Sequence, residues 1–100
     1  ADGEDPFSKP RGFQIYYYHP HSKKLAQSIH KRYLNNIPLF DEGLRFGDYH
    51  VLRLTSMPSV LIENAYMILP QHEELLLSEE FRELIANSVT EGIVDFIYDR

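Results

Sequence analysis

Glu63 is the residue of this sequence best placed for acid–base chemistry. It follows Val60-Leu61-Ile62, so the three positions before it carry no polar group. A β-branched, aliphatic run of this kind reads as a strand buried on both faces. A carboxylate at the C-terminal end of such a strand occupies the position where open α/β sheets gather their chemistry. Desolvation there would poise it as a general acid or base. A Glu that leaves the strand end and points into water is the alternative that spacing leaves open. Arg53 stands between Leu52 and Leu54 on an expected strand over residues 50–54. Its planar fork of donors could anchor a carboxylate, Glu63 included, or face outward from a sheet edge. Ser56 and Ser59 are near in sequence, but no Gly-x-Ser-x-Gly elbow surrounds them.

Five histidines raise the question of a metal. His19 and His21 flank Pro20 in an expected turn, His30 falls on the following helix, His50 opens a strand and His72 starts a short acidic helix. No His-Glu-x-x-His pattern connects them, and the absence of cysteine removes thiolate sites, disulfides and a Cys nucleophile. Histidines hydrogen-bonded at surface turns are the reading favoured over a metal site built from these side chains alone.

The remaining composition narrows the class. One hundred residues suffice for one small core, and 43% hydrophobic with 25% charged residues is ordinary for a globular protein. No apolar run approaches the roughly 20 residues that span a bilayer, and no charged-then-apolar leader opens the sequence. The net charge is -5, and Lys23, Lys24, Lys31 and Arg32 are outweighed by Glu73, Glu74, Glu79, Glu80 and Glu83. Both clusters read as solvated helix faces, so nucleic acid is not an expected partner. Composition fits cytoplasm, periplasm and bacterial cell surface alike.

The elements that must carry these residues follow from pattern. Residues 1–12, with Gly3, Pro6, Pro10 and Gly12, read as a loop or arm. Residues 13–18, F-Q-I-Y-Y-Y, read as a strand whose tyrosines are core and rim, ended by His19-Pro20-His21. A helix is expected from the Ser22 N-cap to about Leu34, with Leu25, Ala26, Ile29 and Tyr33 on one stripe, stopped by Asn35-Asn36 and Pro38. Gly43 and Gly47 read as hinges of a loop over 37–49, with a brief extended piece at 44–46. Strands over 50–54 and 59–63 come next, then a short helix over 70–77 begun by Pro70. Ser78 caps the last helix, whose stripe is Phe81, Leu84, Ile85, Val89, Ile93, Phe96 and Ile97. Gly92 lies on that stripe, and close approach to a strand is the expected reason. Strands alternating with helices predict an α/β fold, a sheet flanked by helices. Three strands are few for so long a final helix, which points to a missing N-terminal portion.

These residues resemble the zinc-dependent N-acetylmuramoyl-L-alanine amidases that cut bacterial peptidoglycan. Residues 12–26, G-F-Q-I-Y-Y-Y-H-P-H-S-K-K-L-A, look like the family's strand followed by a Ser-x-x-Leu-Ala helix start. Residues 51–63, V-L-R-L-T-S-M-P-S-V-L-I-E, are similar to its Val-Leu-Arg strand, Met-Pro corner and terminal Glu. The closing helix over 81–97, with Ile85-Ala86 and Gly92-Ile93, is the third segment. The likeness runs in register over about residues 12–97, and its middle segment is the most specific. Asn64-Ala65-Tyr66 stands where members often carry Gly-Phe, a departure that bears on the pocket wall and not on the Glu.

The resemblance implies a mixed α/β sheet flanked by helices, of the zinc-dependent amidase and exopeptidase kind. Residues 1–100 would be the C-terminal portion of a single amidase domain. Zinc would be held by a His, a Glu and a second His, all upstream of Ala1. Glu63 would be the general base for the hydrolytic water, and Arg53 would lie near the substrate. His21 falls where the family tolerates several polar residues, which argues against a ligand role. The implied partners are peptidoglycan and the N-terminal half of the same domain, in the periplasm or outside the cell. Two other classes remain open: a zinc peptidase of similar architecture acting on a peptide C-terminus, and a non-catalytic module, because this chain lacks the family's metal triad. If half a sheet is missing, the chain alone exposes a strand edge and apolar faces and is expected to be loosely packed, oligomeric, or bound to its missing segment.

Overall fold

A computed structural model describes residues 12–64, 74 and 78–99. Its centre is β1 (Phe13–Tyr17), where alternating Phe13, Ile15 and Tyr17 turn one face towards the helices. The chain leaves β1 through a 3-10 turn (Pro20–Ser22) into α1 (Lys23–Asn36), then returns to β2 (Asp41–Phe46), which pairs parallel to β1. A single turn of helix, α2 (His50–Arg53), precedes β3 (Leu61–Asn64), which pairs antiparallel on the other side of β1. The sheet order is β2-β1-β3. The last element is α3 (Glu79–Ile97), lying along α1.

The stripe read on α1 is the buried one: Ala26 and Tyr33 are fully enclosed, and Leu25 and Ile29 join Phe13, Ile15, Ile37 and Phe81 in one core. Two details at its ends differ. Ser22 does not cap α1; its backbone is already helical and its hydroxyl accepts the Ser59 N–H at 3.0 Å, tying the helix start to the segment before β3. Asn35 and Asn36 do not stop the helix. Asn36 stays helical and donates to Ser88 Oγ at 3.1 Å and Glu91 Oε1 at 3.2 Å, so contact with α3 overrides its preference for turns.

The residues 37–49 form more strand than loop. Gly43, expected as a hinge, lies inside β2 with φ +112°, at the point where the β1–β2 register slips by one residue. Its amide bonds Asp41 Oδ1 at 2.9 Å, the same oxygen that accepts from His30 Nε2 at 2.9 Å. A bulge with positive φ is a position only Gly fills without strain.

The expected strand over 50–54 is instead α2. Leu52 and Arg53 N–H both donate to Tyr49 O, at 2.9 and 3.1 Å, and Leu54 N–H donates to His50 O at 3.3 Å. Leu52 alone points inward, at 2% exposed, while Val51 and Leu54 are 65% and 72% exposed. One anchored residue per turn is a helical demand, and the apparent alternation around Arg53 does not correspond to two faces. The strand expected over 59–63 starts later and is half-buried throughout, because β3 is an edge among the described strands. The helix expected over 70–77, and the arm over 1–11, lie outside the described residues, Glu74 excepted.

In α3, Ser78 is the cap that its sequence suggests, its Oγ accepting the Phe81 N–H at 3.1 Å. Most of the apolar stripe faces the core: Phe81 is buried, and Leu84, Ile85, Val89 and Phe96 pack against it. Ile93 and Ile97 are exposed, whereas Ser88, Gly92 and Asp95 turn towards α1. The interface between α1 and α3 is therefore partly polar. Arg32 donates to Asp95 through Nε at 2.6 Å and Nη2 at 2.9 Å, a bidentate pair that raises the guanidinium pKa further. Gly92 does allow a close approach, but to the backbone of Ile29 on α1 rather than to a strand.

Candidate active site

Glu63 belongs to β3 directly opposite Gln14, and Leu61 opposite Tyr16. On the other side of β1, Tyr16 is level with Arg45 of β2. Opposed residues in a sheet project to the same face. Gln14, Tyr16, Glu63 and Arg45 thus share the face turned away from α1 and α3, and Phe13, Ile15 and Ile62 share the face that packs on them. Because β3 runs antiparallel, its C-terminal end lies beside the start of β1 and not beside the C-terminal ends of β1 and β2. The strand-end rule behind the reading of Glu63 does not carry over; its sheet-mates are what define the site.

Glu63 itself is half-buried, not enclosed on both sides. Gln14 is 2% exposed, and its Oε1 is buried without a hydrogen-bond partner among the described residues. The Tyr49 ring packs edge-on against Tyr16, with centroids 5.0 Å apart at 67°. The Tyr16 phenol is pushed up to about 12, first by burial, then by its hydrogen bond and charge interaction with Tyr49, then by the negative charge of Glu63, with Arg45 acting in the opposite sense. Tyr16 is therefore an O–H donor at any physiological pH. The Arg45 guanidinium is exposed and turned back on its own strand, donating to Glu42 O at 3.1 and 2.8 Å. The face offers the Glu63 carboxylate beside the neutral side chains of Gln14 and Tyr16, with the Arg45 guanidinium turned towards Glu42 O.

The phenol has a measurable consequence. Its pKa is raised on folding, so its contribution to stability is complete below the unfolded value near 10 and is lost as pH rises through about 12. Alkaline titration should show the Tyr16 phenolate appearing near pH 12, alongside the late titration of Tyr33, which burial also raises, and stability should decline between pH 10 and 12. Tyr16→Phe should remove that late phenolate and flatten the decline; an unchanged titration would contradict the environment described for Tyr16.

Arg53 is not brought to this face. On α2 its Nε pairs with Asp48 Oδ1 at 3.0 Å and its Nη2 donates to His50 Nδ1 at 3.5 Å, while its backbone oxygen accepts His19 Nε2–H at 2.9 Å. The side chain braces its own turn instead of Glu63. His19 and His21 stack with centroids 4.9 Å apart at 10°, and His30 binds Asp41. His72 lies outside the described residues. Among the described residues no three His, Asp or Glu side chains converge to hold a metal ion, so these residues do not fit a zinc centre by themselves.

Sequence reasoning singled out Glu63 but missed Gln14, Tyr16, Arg45 and Tyr49. The alternation in F-Q-I-Y-Y already puts Gln14 and Tyr16 on one face of β1. Their register against Glu63 depends on pairing across about fifty residues, which local pattern does not carry.

Comparison with known proteins decides the family. Residues 2–95 match the Amidase_3 family model, described as N-acetylmuramoyl-L-alanine amidase. The chain belongs to the N-acetylmuramoyl-L-alanine amidase family. A probable cell wall amidase, LytH of Staphylococcus saprophyticus, is 28% identical over 86 residues, covering 86% of this chain and 30% of that protein. The solved catalytic domain of the amidase CwlV from Bacillus (Paenibacillus) polymyxa var. colistinus superposes with a TM-score of 0.81 at 34% identity. That match covers 89% of this chain and 50% of that one. The amidase AmiC2 of Nostoc punctiforme superposes with a TM-score of 0.83 at 30% identity, covering 98% and 53% respectively. The chain thus spans about half the length of these two solved amidases and under a third of LytH. Its mixed three-stranded sheet with helices is the fold of amidase catalytic domains.

Proposed function

We propose that the protein carrying this chain is a peptidoglycan amidase, cutting the amide between the lactyl group of N-acetylmuramic acid and the L-alanine of the stem peptide. Residues 1–100 would be the C-terminal portion of its catalytic domain, acting at the cell wall in the periplasm or outside the cell. The observation that carries this reading is Glu63, a carboxylate on a sheet face with neutral Gln14 and Tyr16, in a chain that the amidase family model spans from residue 2 to 95.

In this reaction Glu63 would take a proton from the attacking water as the oxygen–carbon bond forms. It would return that proton to the amide nitrogen as the carbon–nitrogen bond breaks and the peptide departs with a free L-alanine amine. The Tyr16 O–H, which keeps its proton at physiological pH, leaves Glu63 as the group on this face that exchanges protons. The zinc implied by resemblance would have to be held outside the described residues. Arg53, held by Asp48 and His50, would reach substrate only after leaving those partners, so its substrate-binding role rests on resemblance alone.

Turnover of purified muropeptide against a free stem peptide by the full-length protein tests the reading. Release of free L-alanine termini from muropeptide, with the free peptide left intact, is the expected result. Trimming of the free peptide instead would favour a peptidase of similar fold, and turnover of neither would favour a binding module.

A further inference from the structure

We infer that Gln14 is a positioning residue for Glu63, its buried carboxamide oxygen accepting the O–H that Glu63 bears while the proton is in transit. The inference rests on the amidase reading above and deepens it by giving the base a neighbour with a defined role.

The observation is an anomaly in the centre of the sheet. Gln14 sits between Phe13 and Ile15 in the middle strand, at 2% exposure, where an apolar side chain would be expected. Its Oε1 is buried and has no hydrogen-bond partner among the described residues. A buried acceptor left unpaired is costly, and such groups call for a functional account when they sit beside a reactive one. Among the described residues Tyr33 Oη, Asn64 Oδ1 and Ser59 Oγ are also buried without a partner, the first two on the helix-covered side and Ser59 in the segment before β3. Gln14 is the one on the strand face of Glu63.

Register supplies the partner. Gln14 and Glu63 are directly opposed, so their Cβ atoms stand about 4.5–5.5 Å apart and two side chains of this length can meet. Ionised Glu63 has no hydrogen to give, which leaves Oε1 empty in the resting state. Once Glu63 has taken the water's proton it becomes a donor, and the opposed acceptor orients that O–H. The carboxamide is also uncharged, so it adds no second negative charge beside Glu63. Tyr16 is opposed to Leu61 and not to Glu63, so Gln14 is the directly paired acceptor.

The test uses the full-length protein with Gln14→Met, which keeps shape but removes the acceptor, and Gln14→Asn, which keeps an uncharged carboxamide oxygen with its reach shortened by one methylene. For Gln14→Met, kcat on muropeptide should fall about tenfold with KM within about twofold, the signature of an interaction made during the reaction. Its Tm should match or exceed that of the wild type, since an unpaired polar atom has been removed. Gln14→Asn should give a kcat between those of Gln14→Met and the wild type. Three results would overturn the proposal: unchanged kcat in Gln14→Met; a rise in KM alone, which marks a substrate contact; or a lowered Tm or lost fold that accounts for the lost activity. A wild type that leaves muropeptide intact would instead overturn the amidase reading, and this role with it.

Discussion

Gly92→Val should lower the melting temperature by about 10 °C, at a cost of about 3 kcal/mol in a domain of 150–250 residues. A Cβ at Gly92 would stand 2.7 Å from Ile29 Cα, 2.8 Å from its Cγ1 and 3.1 Å from its amide nitrogen. Two of those atoms are backbone and cannot swing aside, so α1 and α3 must move apart. The Arg32–Asp95 and Asn36–Ser88 bonds cross the same interface and would lengthen with it. Overpacking of this kind costs about 1–3 kcal/mol for a small addition. Alanine returns about 1 kcal/mol of helix propensity, so Gly92→Ala should fall between wild type and Val. Thr90→Ala, exposed on the same helix, should stay within about 0.5 kcal/mol of wild type. A Gly92→Val protein that melts with the wild type would show that the two helices do not meet where the structure has them.

Glu63→Gln in the full-length protein should reduce kcat on muropeptide by at least a factor of about 100, the range over which a positioned acid–base group acts. The amide keeps the size and hydrogen-bonding reach of the carboxylate but can neither hold the water's proton nor return it. Glu63→Asp keeps the chemistry and withdraws the carboxylate by one methylene. Its kcat should fall between the other two, since misplacement by about 1 Å can cost up to a hundredfold. Both substitutions are at a half-buried edge-strand position, so Tm should change little.

Much of this architecture was legible from local pattern. The stripe on α1 and the Ser78 cap follow from spacings of three and four residues, which one element contains. So does the strand at Phe13–Tyr17. What failed depends on contacts between elements. Ser22 is a capping residue by type but serves Ser59 instead, and Asn36 is a helix breaker by type but reaches Ser88 across the interface. The 50–54 segment shows an alternating pattern, yet only Leu52 is anchored and the chain turns. Gly92 signalled a close approach without saying to what. The α3 stripe included Ile93 and Ile97 because hydropathy alone cannot anticipate that Asp95 will be drawn inward by Arg32.

The candidate site shows the same division. Glu63 stands out because three apolar residues precede it, a feature visible in one dimension. Its company does not: Gln14 and Tyr16 become its neighbours only through antiparallel pairing. The pairing also reverses the direction of β3 relative to β1, which a reading based on parallel strands could not supply. Arg53 looked like a partner for Glu63 by its place in the sequence and is instead held by Asp48 and His50.

The central claim is that Glu63 carries the proton in an amide hydrolysis on peptidoglycan. The most direct measurement is the rate at which free L-alanine amino termini appear on purified muropeptide, compared between full-length wild type and Glu63→Gln at matched Tm. The account predicts release by the wild type and at least about a hundredfold slower release by the variant. Equal rates in the two proteins would contradict it.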